Sequence, residues 1–160
     1  MNQVEASDTE IALKAGFTFN FARYSEWSGQ AALRGSFQLC SPDLHFVTVA
    51  EDVLAGQTVH GLPITVSHVE LVHQAMSQCN LLFVSAAYRA QWQALDKHLF
   101  RHTMLVGETA DFIKYGGHIR FFLLSGKIRF EVAPDALKEV GIVMSSKVLR
   151  LSRVISEGAQ

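Results

Sequence analysis

The chain has 160 residues, of which 49% are hydrophobic and 18% are charged, and its formal net charge is −1. This is the length of one compact domain, and so small a net charge gives no sequence-independent attraction to nucleic acid or anionic lipid. No apolar run approaches the roughly 20 residues that a transmembrane helix needs. The charged fraction lies below the usual ~25%, which leaves room for an apolar surface covered by a partner, and we expect a homodimer.

The N-terminal segment, residues 1–7, is polar and lacks the apolar stretch of a secretory signal. Two histories fit this composition. The chain is cytoplasmic, or its signal has been removed and residues 1–7 form a disordered mature N-terminus. Composition alone leaves both open.

Helix and strand patterns alternate in the first half of the chain. Asp8 is predicted to cap a helix that runs to about residue 27, before Gly29. The apolar stripe of this helix consists of Leu13, Phe17, Asn20, Phe21, Tyr24 and Trp27. The further elements predicted here are a strand at residues 37–40, a helix at 43–55, a strand at 62–68 and a short helix at 70–77.

Two apolar runs in the second half predict buried strands. Residues 79–85 (CNLLFVS) lack polar alternation, as is typical of a strand covered on both faces, and residues 103–106 form a second such run. Residues 88–101 between them predict an amphipathic helix. The remaining predicted elements are a helical turn at residues 111–115, a glycine turn at 116–117, a hairpin of strands 118–124 and 127–132 joined by Ser125-Gly126, a helix from Pro134 to Gly141, and a last helix from Ser145 to about Ile155.

The order of these elements predicts one α/β domain over residues 1–160. Alternating strands and helices are typical of a mostly parallel sheet with helices on both faces, and the late hairpin supplies an antiparallel edge. We therefore predict a layered sandwich of this kind.

Motifs for catalysis and cofactor binding are not found in the sequence. Neither glycine-rich phosphate loop nor G-x-S-x-G elbow is present. His98 and His102 stand four residues apart, but no further ligand lies at a telling offset, so we predict no metal site. Ser85 ends a buried strand, where α/β folds tend to place ligands, although simple strand termination is the more ordinary interpretation. The sequence predicts a protein that is not an enzyme and has no cofactor.

A basic stripe is predicted on the last helix, where Lys147, Arg150 and Arg153 recur every three residues. Cations near a helix end interact favourably with its dipole, so a solvated face accounts for them. A site for a small anionic ligand or an acidic partner surface is the alternative.

The two cysteines, Cys40 and Cys79, fall at the ends of predicted strands. From spacing alone, a disulfide and two buried thiols are equally acceptable.

Three segments of the chain resemble the YfiR family of proteins. The opening helix carries the pattern A-x-F-x-x-N-F-x-x-[FY]-x-x-W from Ala15 to Trp27, and residues 79–85 match a C-x-x-L-F-[IV]-[GS] strand. The end of the chain, from Gly116-Gly117 through the hairpin to the S-S-K-x-L-x-L sequence at residues 145–151, is similar to the glycine turn, hairpin and closing helix of that family. The resemblance covers nearly the whole chain.

The resemblance implies a periplasmic regulator that binds and represses the periplasmic sensor region of an inner-membrane diguanylate cyclase, which lowers cyclic-di-GMP and biofilm formation. It implies an oxidising compartment, and with it a disulfide between Cys40 and Cys79. Some relatives have a second cysteine pair, but Lys114 and Phe121 occupy that region here. The alternative function is a periplasmic sensor domain with a small-ligand pocket near Ser85 and Gly107.

Overall fold

The structure is a computed structural model that describes residues 7–72 and 76–155. The strands are β1 (Ser25–Trp27), β2 (Phe37–Ser41), β3 (Thr58–Val59), β4 (Leu62–His68), β5 (Leu81–Val84), β6 (Met104–Gly107), β7 (Ile119–Leu124), β8 (Lys127–Val132), β9 (Ile142–Met144) and β10 (Arg153–Val154). The α-helices are α1 (Asp8–Arg23), α2 (Leu44–Val53), α3 (Arg89–Ala94), α4 (Pro134–Glu139) and α5 (Ser146–Leu149). Short 3-10 helices lie at Gly29–Ala31, Ala86–Tyr88 and Lys97–Leu99.

Eight of these strands form one sheet in the order β10-β8-β7-β6-β5-β2-β4-β3. The five central strands β7, β6, β5, β2 and β4 run parallel to one another, whereas β8 is antiparallel to β7 and β3 is antiparallel to β4. Strands β1 and β9 form a separate antiparallel pair. The predicted class, a layered α/β domain with a mostly parallel sheet, is confirmed.

The predicted hairpin forms, but it does not lie at the edge of the sheet. Ser125 and Gly126 both have positive φ, 52° and 75°, as a two-residue turn between twisted antiparallel strands requires. Strand β10 then pairs in parallel with the outer side of β8 and becomes the edge strand.

Side chains on the central strands alternate between two apolar layers. Leu81 and Phe83 of β5 belong to the layer beneath α1 and α2, where the ring of Phe46 stacks on that of Phe83 with centroids 4.2 Å apart. Leu82 faces the opposite layer, which contains the fully buried Trp92. Buried apolar side chains on both faces explain why β5 reads as an unbroken apolar run.

A second aromatic ring in the Trp92 layer depends on two glycines. Phe112 stacks on Trp92 with ring centroids 4.5 Å apart. A Cβ atom at Gly107 or Gly117 would lie within 2.3 Å of the Phe112 ring, so both positions must lack a side chain. The neighbouring Gly116 has φ of 102° and makes the predicted turn.

The opening helix is shorter than predicted at its C-terminal end. Helix α1 ends at Arg23, and Ser7 rather than Asp8 is its N-cap, accepting a hydrogen bond from the Glu10 amide at 3.1 Å. Residues Ser25 to Trp27 leave the helix because they pair with β9, which supplies their backbone hydrogen bonds. The apolar periodicity of the helix gives no sign of this distant strand. Leu13, placed in the predicted apolar stripe, is exposed.

Two more helix predictions are wrong in length. The predicted helix at residues 88–101 is instead α3 flanked by two 3-10 turns. The predicted last helix is the single turn α5, after which the chain becomes β10, and the Ile155 amide donates to the Val132 carbonyl at 2.7 Å. The open edge of β8 offers backbone partners, and their hydrogen bonds outweigh local helix preference. The predicted helix at residues 70–77 includes 73–75, which lie outside the described residues, as do residues 1–6 of the N-terminal segment.

Candidate functional site

The two cysteines form a disulfide, as the family resemblance implied. Cys40 and Cys79 are buried in the Trp92 layer, and their Cα atoms lie 5.9 Å apart. The Thr103 hydroxyl donates to the Cys79 carbonyl at 2.9 Å, which fixes the backbone at the start of β5. The bond ties β2 to β5 inside the sheet and is not exposed at a surface.

Arg153 lies on β10 and takes part in a row of charges across three strands. Glu131 of β8 is the cross-strand neighbour of both Arg120 and Arg153. Its carboxylate accepts a hydrogen bond from Arg120 Nε at 2.6 Å and from Arg153 Nη2 at 2.6 Å. Burial acts to raise the pKa of Glu131, but the hydrogen bonds from both guanidinium groups outweigh it and lower the pKa. The buried carboxylate is therefore ionised and holds the two arginines in place.

The guanidinium groups of the same two arginines lie close to the aromatic ring of Phe122. The guanidinium carbons of Arg120 and Arg153 lie 5.0 and 4.5 Å from its centroid, within the range of cation–π interactions. Arg129 is the cross-strand neighbour of Phe122, and Lys127 is that of the exposed Leu124.

These side chains alternate along β7 and β8 with those that enter the core, so they share the opposite side of the sheet. We call this surface the basic sheet face and define it as Arg120, Phe122, Leu124, Lys127, Arg129, Glu131 and Arg153. It carries four cationic side chains, one carboxylate and two apolar side chains, Phe122 and Leu124.

The predicted basic stripe does not form, because its helix ends at Leu149. Lys147 lies near Tyr24, where a hydrogen bond from Arg23 and the charge of Arg23 lower the pKa of the phenol, with a smaller contribution from Lys147. The guanidinium of Arg150 donates to the Ser146 carbonyl of its own helix at 3.3 Å. Arg153 alone of the three belongs to the basic sheet face.

Ser85 lies at the carboxyl ends of the parallel strands and lines a pocket of about 630 Å³. One wall comes from the first turns of α1 and from the start of α2, and the other from the segments that follow β5 and β6. The lining residues are Glu10, Ile11, Lys14, Asp43, His45, Phe46, Phe83, Ser85, Ala86, Ala87, Tyr88, Glu108 and Leu123. The site therefore combines an apolar floor with several charged groups.

An ion-pair cluster joins α1 to the segment after β6 within this pocket. Lys14 Nζ donates to Glu10 Oε2 at 2.7 Å and to Glu108 Oε1 at 2.6 Å. The second oxygen of Glu108 accepts from the Ala86 amide at 2.8 Å. Burial acts to lower the pKa of Lys14, but the two carboxylates outweigh it and raise the pKa, so the ammonium stays charged.

Sequence reasoning singled out Ser85 and Arg153 but missed their charged neighbours. Glu10 and Lys14 stand four residues apart on a predicted helix, which was a usable signal for an ion pair. Glu108 lies 94 residues from Lys14, and no spacing rule connects them. The Arg120–Glu131 pair follows from the hairpin register, which the Ser125-Gly126 turn sets.

The two histidines considered as metal ligands, His98 and His102, have different surroundings. His102 Nδ1 lies 3.2 Å from the Val140 carbonyl, and His98 is exposed. Within residues 7–72 and 76–155 there is no group of three or more His, Cys, Asp or Glu side chains suited to a metal ion. Over the same ranges, every helix is too short or too polar to cross a bilayer.

The fold is an α/β domain with a pocket at the carboxyl ends of its parallel strands and a basic sheet face on the hairpin β7–β8. The chain belongs to the YfiR/HmsC-like family, whose model matches residues 11–153. A comparison with curated protein sequences gave no match. Membership of the family supports a periplasmic regulator of diguanylate cyclase signalling rather than an enzyme.

Proposed function

We propose that the protein binds the periplasmic sensor region of an inner-membrane diguanylate cyclase and holds the cyclase inactive. The observation that carries this proposal is the match of the YfiR/HmsC-like family over residues 11–153, nearly the whole domain. Repression lowers cyclic-di-GMP and with it biofilm formation.

The basic sheet face is the surface that we assign to the cyclase. The whole chain has a net charge of −1, so four cations against one carboxylate on one face is a marked local asymmetry. Cationic surfaces steer acidic partners and speed their association, while aromatic and aliphatic side chains at the centre of an interface supply affinity. Phe122 lies in the middle of this face, and Leu124 lies beside it at the hairpin end. The partner surface should therefore be acidic with an apolar core.

Charge reversal on this face tests both parts of the proposal. Lys127→Glu and Arg129→Glu change exposed side chains of β8 and should leave the fold intact. The matched control is Lys114→Glu with Lys138→Glu, which makes the same charge change at exposed positions outside the face. Each protein is added to membranes that contain the cyclase, and both cyclase capture and cyclic-di-GMP synthesis are measured.

Wild type and control should capture the cyclase and lower cyclic-di-GMP synthesis, whereas the face variant should lose both effects by about tenfold or more. A wild-type protein that neither captures the cyclase nor changes its activity contradicts repression. A face variant as active as wild type leaves repression standing and shows that another surface makes the contact.

A further inference from the structure

The pocket beside Ser85 lies at the switch point of the parallel sheet. From β2 the chain adds β4 on one side, and it then returns to add β5 and β6 on the other. Open α/β sheets bind ligands at the carboxyl ends of strands where the order reverses in this way. The volume of about 630 Å³ is within the range of small-molecule sites. This surface is separate from the basic sheet face and independent of the repression proposed above.

The hydroxyl of Ser85 is a buried polar group without a partner in the described part of the chain. Ser85 is 7% exposed, and its Oγ atom has no hydrogen bond among the described residues. The side chains of Ser85 and Phe83 point to the same side, toward the pocket, because alternate residues of an extended chain share a face. A buried hydroxyl left unpaired costs free energy, so such groups usually have a partner. A ligand in the pocket would supply one.

The charges of the pocket select the kind of ligand. Lys14 is held by Glu10 and Glu108, and the Ala86 amide is held by the second oxygen of Glu108. The Lys14 ammonium and the Ala86 amide are therefore already paired with carboxylates of the chain, and His45, the other basic side chain of the lining, lies 2.7 Å from Asp8 Oδ1. Asp43 adds a further carboxylate to the same lining. An anionic ligand would meet an excess of negative charge, whereas a cation would be attracted.

The remaining surface of the pocket is apolar. Ile11, Phe46 and Phe83 form its buried part, and Leu123 of β7 and the aromatic ring of Tyr88 lie in the same lining. These groups suit a hydrocarbon body, and an aromatic ring also attracts a cation over its face. We propose that this pocket binds a small organic ammonium with an apolar body, with Ser85 as a hydrogen-bond partner and the carboxylate excess as the source of charge selectivity.

Three probes that share a phenyl ring on a short side chain but differ in charge test the charge selectivity. The full chain is titrated with 2-phenylethylammonium, the neutral 2-phenylethanol and the anionic phenylacetate, by calorimetry and by amide chemical shifts. The ammonium should bind saturably, at least about tenfold more tightly than the alcohol, and should shift the amides of Ser85 and Ala86, while phenylacetate should bind more weakly than either. Phenylacetate binding as tightly as the ammonium, or no saturable binding of the ammonium, overturns the proposal.

Two variants connect the binding to the named residues. Ser85→Ala should weaken ammonium binding about fivefold and leave the melting temperature unchanged or higher, because the deleted hydroxyl had no partner among the described residues. Asp43→Asn keeps the helix cap but removes a charge, and should weaken binding about threefold or more. Asp52→Asn makes the same change at an exposed position of α2 outside the pocket and should bind like wild type. Unchanged binding in both Ser85→Ala and Asp43→Asn would overturn the assignment.

Discussion

The disulfide between Cys40 and Cys79 links β2 to the segment just before β5, and the two Cα atoms lie 5.9 Å apart. Cys40 lies in β2, and Cys79 lies two residues before the first residue of β5. The two strands are neighbours in the sheet, yet 39 residues separate the cysteines along the chain. The segment between them contains α2, β3 and β4. The disulfide thus closes a covalent loop that contains α2, β3 and β4.

Loss of the disulfide should destabilise the protein without unfolding it. A loop of this length corresponds to about 4 kcal/mol of free energy of unfolding in the chain-entropy model, which is about 10 °C in melting temperature for a domain of this size. Reduction of the wild type and the double variant Cys40→Ser, Cys79→Ser should show the same decrease by calorimetry. Thiol titration of the native and denatured protein is the control, and two free thiols under oxidising conditions would rule the bond out.

The same double variant addresses regulation through the disulfide. If repression requires the intact shape of the sheet, reduction of the disulfide should weaken repression and raise cyclase activity. The measurement is a cyclase assay at equal concentrations of folded protein. A variant that represses as well as wild type would give the bond a purely structural role.

Phe21 should be one of the most costly side chains to truncate. It is fully buried, and its ring lies 4.8 Å from that of Phe130 and 5.6 Å from that of Phe121. Phe21→Ala should lower the free energy of unfolding by about 3–5 kcal/mol through lost contacts and the cavity left behind. Leu13→Ala on the exposed side of the same helix should cost under about 0.5 kcal/mol. Denaturant unfolding measures both, and similar values would show that α1 does not present Phe21 to the core.

His118 should make the protein less stable in mild acid. It is 3% exposed, its Nδ1 accepts the Leu105 amide at 2.9 Å, and burial lowers its pKa from 6.5 to about 4. Between these two values the unfolded chain binds the proton and the folded chain does not, so the stability decreases as the pH is lowered. The contribution of His118 to the free energy of unfolding is complete above pH 6.5. About 3 kcal/mol of it is lost as the pH falls toward 4.

Replacement of the histidine should remove this part of the pH dependence. Denaturant unfolding of wild type and His118→Asn is compared between pH 7 and pH 4. His98→Asn, which removes an exposed histidine by the same change, is the control and should keep the wild-type slope. A His118→Asn protein with the full wild-type slope would assign the effect to other groups.

Self-association remains a prediction from composition, and the exposed apolar side chains motivate a test of it. Leu151 is 75% exposed, and Leu123, Leu124 and Val154 are also exposed. Apolar groups of this kind are commonly covered in two-fold dimers. Sedimentation velocity at micromolar concentration should report a dimer, and a monomer over the whole concentration range would contradict the prediction.

Much of the fold could be predicted because its signals are local. The run from residue 79 to 85 and the alternation at residues 62–68 identified β5 and β4, and the Ser125-Gly126 turn set the hairpin register. The candidate site could be predicted only in part. Ser85 was found from its position after a buried strand, whereas Glu108 contacts Lys14 across 94 residues, and no local pattern records that approach.

The sequence by itself determined the α/β class, the two-faced burial of the central strands and the family resemblance, because apolar periodicity and turn residues act within a few positions of the chain. Only the tertiary structure decided where α1 and the last helix end. Residues 25–27 and 153–154 carry enough helical character to continue a helix, but β9 and β8 offer them backbone partners from distant parts of the chain. The same packing decided which charges meet, since Glu131 holds Arg153 only after β10 has paired with β8. Long-range hydrogen bonds therefore outweighed local propensity at both ends of this domain.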